Sequence, residues 1–180
     1  MKKKTVRTLV FAALFTALEI VLSRFCSVNT QGWKIGFSFV PVVACATLFG
    51  PVVSASVCAA ADLIGALLFP IGPYFPGFTL CSGIMGAVWG LFLYKKGEMS
   101  ALDGSRISNL MKVLFPALIN NIAIGLIVNT VWVSILYGSK TYFGWFLYRL
   151  PEYAVKIPVE LLLVPIIVRL CAKLKNKYKI

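Results

Sequence analysis

The stretch RLPEYAVKIPVE (149–160) sets Arg149, Glu152, Lys156 and Glu160 at steps of three, four and four, so all four side chains fall on one helix face. It lies in a chain of 180 residues that is 59% hydrophobic and 13% charged, with a mean hydropathy of +0.88. Soluble domains carry about a quarter charged residues, so the composition marks an integral membrane protein. Inside a bilayer each charge costs at least about 2.5–3.5 kcal/mol unless it is paired or faces a cavity. The stripe is therefore expected to face inward, where a polar strip opposite apolar walls suits the binding of a small polar molecule.

Outward from that stretch, hydrophobic runs lie at about 7–25, 36–49, 52–69, 78–94, 108–136 and 146–172. At roughly 20 residues per span they predict an all-α integral membrane protein of six transmembrane helices, forming one domain over 1–180. Gly50-Pro51 divides the second run from the third, and Pro70-Ile71-Gly72-Pro73 with Pro76-Gly77 the third from the fourth, because proline lacks a donor and glycine frees the backbone. Lys95, Lys96, Glu98 and Asp103 mark the next loop, and Tyr137-Gly138-Ser139-Lys140 the last. Pro151 is expected in the first turn of the sixth span, and Pro158 is expected to kink it. The second run is short and aromatic, predicting a tilted or broken helix; the preceding Val28 to Lys34 segment is too polar for hydrocarbon.

Lys and Arg are retained on the cytoplasmic side. Four lie near the start (Lys2, Lys3, Lys4, Arg7), four between spans four and five (Lys95, Lys96, Arg106, Lys112), and five near the end (Arg169, Lys173, Lys175, Lys177, Lys179), out of eighteen. Six spans bring these regions to one side, which predicts cytoplasmic termini in a multi-pass membrane protein. Arg24, Lys34, Lys140, Arg149 and Lys156 then lie at or toward the outer face. Topology and anionic inner-leaflet lipid account for the net charge of +12, so nucleic acid is not the expected partner. MKKKTVRT at 1–8 precedes an apolar run of full-span length without a small-residue cleavage site, which reads as a retained first helix.

The chain has no histidine, and Cys26, Cys45, Cys58, Cys81 and Cys171 form no CxxC pair. They read as small buried hydrophobes, and neither a transition-metal site nor a cofactor is expected. No GxSxG, HExxH or Walker A pattern occurs, so the chain is not expected to be an enzyme or to hydrolyse ATP. Gly83, Gly86 and Gly90 stand at helix-packing spacing. Glu19 is expected to make an interhelix hydrogen bond or pair with Arg24, and Asp62, in the outward half of its span, is a candidate ligand contact. A binder without an engine needs partners, and Ala13 and Ala17 form a small-xxx-small pattern on the first helix that admits another helix closely.

The outer segments carry aromatics beside polar groups: Trp33, Phe37 and Phe39 around Lys34 and Ser38; Tyr74, Phe75 and Phe78 beside Thr79; Trp132, Tyr142, Trp145 and Tyr148 leading to Arg149. Some belong to an interfacial belt. The others suit a ligand with a flat ring and an anionic group.

The segments LSRFCSVNTQGWKIGFSFVPVVACATLFGP (22–51), ADLIGALLFPIGPYFPGFTLCSGIMGAVWGLFLYKKG (61–97), NTVWVSILYG (129–138) and RLPEYAVKIPVE (149–160) resemble the substrate-binding S components of energy-coupling factor (ECF) vitamin transporters, particularly the folate branch. The resemblance implies a six-helix bundle that captures its vitamin from outside and works with a transmembrane coupling subunit and two cytoplasmic ATPases. It further implies that the bundle reorients in the membrane to deliver the vitamin inward, and it assigns Ala13 and Ala17 to the coupling-subunit contact. For folate, Phe37, Phe39, Phe78 or Trp132 would stack on the pterin; Asp62, Thr79 or Asn129 would bond its edge; Arg24, Arg149 or Lys34 would meet the two carboxylates of the tail, arginine being the better fork. Lys156 is expected to pair internally with Glu152 and Glu160. Arg→Ala at position 24 or 149 is expected to weaken binding by roughly 1.5–3 kcal/mol and leave the protein folded. The alternatives are an S component for pantothenate, riboflavin or a queuosine precursor, or a small membrane scaffold without transport.

Overall fold

The computed structural model describes residues 2–30, 33–95, 102 and 105–178; Lys96, Glu98, Asp103 and Lys179 lie outside them. Its elements are helix α1 (Lys2–Arg24), strands β1 (Ser27–Thr30) and β2 (Trp33–Gly36), then helices α2 (Phe39–Phe49), α3 (Pro51–Leu68) and α4 (Pro76–Leu93). A fifth body runs through α5 (Arg106–Leu118), a π-helical segment (Ile119–Val128) and α6 (Asn129–Tyr137), and α7 (Tyr142–Tyr178) closes the chain. Six helical bodies thus form an all-α multi-pass membrane bundle. Among the described residues four of them, 5–24, 51–68, 76–93 and 107–137, are long and apolar enough alone to cross a bilayer.

The second body is the short one. Eleven residues of α2 rise about 16 Å, near half the hydrocarbon thickness, and the polar stretch before it folds as an antiparallel hairpin. Ser27 pairs Gly36 and Thr30 pairs Trp33. Pairing strand to strand satisfies the backbone groups of a segment too polar to be a span. This hairpin is the one departure from helix among the described elements.

Prolines 51 and 76 stand in the first turns of α3 and α4, where their missing N–H has no partner to lose. Gly50 turns the chain between α2 and α3 with φ +85°. Helices α3 and α4 pack backbone to backbone: a Cβ on Gly90 would lie 2.3 Å from Pro51 Cα, and one on Gly86 2.6 Å from the Ser54 carbonyl oxygen. These two glycines are therefore the close-approach positions that the spacing predicted, whereas Gly83 has only ordinary contacts at 3.5 Å.

Pro151 is not in a first turn. Helix α7 begins nine residues earlier, at Tyr142, and runs continuously through Pro151, Pro158 and Pro165. The fifth body also differs from a plain helix. Pro116 interrupts its hydrogen-bond ladder, and wide π turns follow from Ile119. Polar side chains hold both ends of the widened segment, Asn121 Nδ2 donating to Ala117 O at 2.9 Å and Thr130 Oγ1 donating to Leu126 O.

One end of the bundle gathers the start of α1, the α2–α3 turn, and the ends of α4 and α7. Phe11 stacks on Phe49 with ring centroids 5.7 Å apart, and Lys175 Nζ donates to Lys95 O at 3.3 Å. The opposite end holds the hairpin, the α3–α4 loop and the α6–α7 turn, with Phe25 against Phe69 at 5.2 Å. The apolar core occupies the first end, where Val43, Leu93, Val113, Val164 and Val168 are fully buried. Its upper members Phe39, Val42 and Trp89 are also the floor of the cavity above.

Candidate ligand-binding cavity

Above that floor the bundle encloses a cavity of about 680 Å³, within the range of small-molecule sites. Every spanning body contributes to its wall: Glu19 and Arg24 from α1, Phe39 and Val42 from α2, Cys58 and Asp62 from α3, Phe78 and Trp89 from α4, Asn120, Asn121 and Asn129 from the fifth body, and the α7 stripe. Lys34 of the hairpin and Ile71, Gly72, Pro73 and Tyr74 of the α3–α4 loop line it from the other end.

The stripe faces inward throughout. Arg149, Glu152 and Glu160 are 6%, 1% and 5% exposed, and all four of its residues line the cavity. Arg149 donates to Thr130 Oγ1 at 3.0 Å and to Tyr153 Oη at 2.7 Å, and its Nε lies 3.9 Å from Glu152 Oε2. Lys156 pairs with Glu152 at 3.4 Å. Glu160 instead accepts from Asn121 Nδ2 at 2.6 Å. The internal pairing of Lys156 thus runs to Glu152 alone, because an asparagine on the π-helical segment meets Glu160. Tyr153 seats against Gly125, where a Cβ would come within 2.7 Å of its ring. The network therefore ties α7 to the widened part of the fifth body.

Of the ten ligand-contact candidates, Arg24, Lys34, Phe39, Asp62, Phe78, Asn129 and Arg149 line the cavity. Phe37, Thr79 and Trp132 do not. Phe37 is exposed at 52%, with its ring 6.4 Å from that of Phe39 between centroids. Thr79 donates to Asp62 Oδ2 at 2.8 Å and so orients that carboxylate from behind. Trp132 packs on Phe75 at 5.0 Å. Ala13 and Ala17 are exposed on α1, on the side away from Glu19.

Glu19 makes the interhelix hydrogen bond that was one form of that expectation, to the Cys58 thiol of α3, rather than an ion pair with Arg24; Arg24 and Lys34 make no ion pair among the described residues. Burial pushes the Lys34 ammonium down to about 8, with the nearby Arg24 charge adding to the effect. Several wall residues were missed by sequence reasoning. Tyr153 was legible as the residue four beyond Arg149; Asn120 and Asn121 were legible as an amide pair in an apolar run. Nothing in the pattern marked Ser23 or Ser82, which line the wall because of how distant segments meet. Among the described residues nine buried polar side-chain atoms have no hydrogen-bond partner. Six of them, on Glu19, Arg24, Asn120, Asn129, Arg149 and Glu152, belong to cavity-lining residues. Such orphans are costly unless a ligand or solvent meets them.

The sequence profile of the family described as "ECF-type riboflavin transporter, S component" matches residues 3–173. The chain is 34% identical over 161 residues to a folate transporter FolT of Clostridium novyi, covering 89% of this chain and 87% of the relative. It is 31% identical over 137 residues to a folate transporter FolT of Leuconostoc mesenteroides, covering 76% and 69%. Among solved structures it resembles a crystal structure of FolT bound with folic acid, with a TM-score of 0.78, 31% identity, and coverage of 90% of this chain and 92% of that one.

Proposed function

The chain belongs to the S components of ECF-type transporters, membrane proteins that are not enzymes, and from that premise we propose that its cavity captures folate from outside a bacterial cell. The observation that carries the reading is the pairing of uncommitted cations with an apolar floor in one cavity. Arg24 and Lys34 lie on the wall without an ion pair among the described residues, whereas Arg149 is engaged by Thr130, Tyr153 and Glu152. The glutamate tail of folate brings two carboxylates to Arg24 and Lys34, with Arg149 behind them. Its flat pterin lies against Phe39 and Phe78, and Asp62 and Asn129 offer polar contacts at the ring edge. The named relatives and the folate-bound neighbour support the same ligand.

The positive charges set the end holding the start of α1 and the end of α7 in the cytoplasm, so the cavity lies toward the outside. Delivery inward requires a coupling subunit and two ATPases, with Ala13 and Ala17 as the docking strip. The single bundle over 1–180 is the substrate-binding domain of that assembly.

Purified protein is expected to bind folic acid tightly and riboflavin or pantothenate far more weakly by calorimetry. Riboflavin is the second reading, because the family profile carries that name. Preference for riboflavin over folic acid would overturn the folate reading. Arg24→Ala is expected to weaken folic acid binding by roughly 1.5–3 kcal/mol with an unchanged melting temperature, since Arg24 closes no ion pair among the described residues. Equal affinity would remove Arg24 from the tail site.

A pH dependence follows from Lys34. With the free ammonium titrating near 8, an anionic tail stabilises its charged form and raises that value in the complex. Folate binding then takes up a proton above pH 8, and affinity is expected to fall, by up to about tenfold per pH unit, between pH 8 and 10. Folding stability moves the other way in the same window: the folded value lies below the unfolded one, so the unfolded chain holds more protons and stability rises with pH. Lys34→Met should abolish the affinity slope; a slope that survives assigns it to another group.

A further inference from the structure

Four carboxylates line the cavity. Asp62 accepts from Thr79, Glu152 faces Lys156 and Arg149, and Glu160 accepts from Asn121. Glu19 is 8% exposed and lies on the cavity wall; it hydrogen-bonds the Cys58 thiol, and its Oε2 has neither a hydrogen bond nor the arginine that faces the like atom of Glu152. The Cys58 thiol stands beside it and the Lys34 charge acts on it. Cys58 belongs to the same apolar cluster as Phe39, Val42 and Trp89, so the carboxylate sits beside the apolar floor on which a flat ring would lie.

An ionised carboxylate is an acceptor only, with two oxygens side by side. Its match is a planar edge bearing two adjacent N–H donors. A pterin has that edge in its 2-amino group and N3–H. The isoalloxazine ring of riboflavin has a single N3–H between two carbonyl oxygens, whose lone pairs would face those of the carboxylate.

We propose that Glu19 is the specificity-determining residue of this cavity, accepting the paired N–H donors of a 2-aminopyrimidine edge and rejecting rings that place a carbonyl there. The assignment rests on the folate reading above and adds to it the group that tells a pterin from a flavin. A carbonyl in place of the 2-amino group leaves one hydrogen bond unmade and sets two acceptors against each other in a buried site.

The test compares folic acid with its 2-deamino-2-methyl analogue on the purified full chain, in wild type and Glu19→Gln, with melting temperature as the folding control. Wild type is expected to bind folic acid on the order of 10- to 100-fold more tightly than the analogue, the worth of a charged hydrogen bond. Glu19→Gln should lose most of that preference, weakening for folic acid by a much larger factor than for the analogue, which gives Glu19 only its N3–H. Loss of affinity for both ligands by the same factor, or for neither, would overturn the proposal and leave the folate reading standing. If Glu19→Gln does not fold, the wild-type pair still decides: equal affinity for the two ligands overturns the proposal. Wild-type protein that binds no folic acid overturns the folate reading, and this assignment with it.

Discussion

Arg149→Ala is expected to destabilise the protein by about 3–5 kcal/mol, the cost of removing one partner from a buried charge network. Arg149 is 6% exposed and holds Thr130 Oγ1 at 3.0 Å and Tyr153 Oη at 2.7 Å. Without it, Glu152, 1% exposed, keeps only Lys156 at 3.4 Å, and the Tyr153 hydroxyl on the cavity wall loses its donor. The expectation from sequence is weaker binding by a folded protein, and the network adds to it a fall in stability. Arg149 lines the cavity, as its spacing suggested, and it also links α7 to Thr130 of the fifth body. Thermal unfolding in detergent, without ligand, checks it. The Arg149→Ala melting temperature should fall well below that of Arg24→Ala, and a fall no larger than for Arg24→Ala would show that the network does not hold these elements together. Arg149→Lys should recover little, since an ammonium does not reproduce the planar fork that reaches Thr130 and Tyr153 together.

Bulky side chains on the exposed strip of α1 should have the largest effect on transport and almost none on capture. Ala13→Trp with Ala17→Trp is expected to abolish folate uptake by cells carrying the coupling module, while the isolated subunit binds folic acid as wild type does. Both alanines are exposed, so the indoles meet no neighbour within the bundle and folding is unaffected; what they prevent is the close approach of another helix. Uptake assays paired with calorimetry on the purified chain check this. Uptake that survives would move the docking surface elsewhere, and lost binding would place the strip in the cavity after all. The two faces of this one helix give the arrangement mechanical sense. Glu19 and Arg24 line the cavity while Ala13 and Ala17 are exposed, so one helix carries both the cavity wall and the proposed docking strip.

The sequence by itself determined the compartment, the number of helical bodies and the inward face of the α7 stripe. Each follows from a cost that acts locally: an apolar run of span length has one stable place, and a charge at helical spacing within it must turn away from lipid. Gly86 and Gly90 were legible for the same reason, since only small residues let α3 and α4 approach. The tertiary structure alone decided which polar groups meet. Glu160 finds Asn121 rather than Lys156, and Thr79 supports Asp62 from behind the wall. Trp132 turns to Phe75, and Glu19 is left facing the cavity without Arg24. These outcomes depend on the rotation of one helix against another, and on a π-helical widening that Pro116 and the two asparagines permit but do not announce. Periodicity fixes the face of each helix; the partner across the gap is set by packing between segments far apart in the chain.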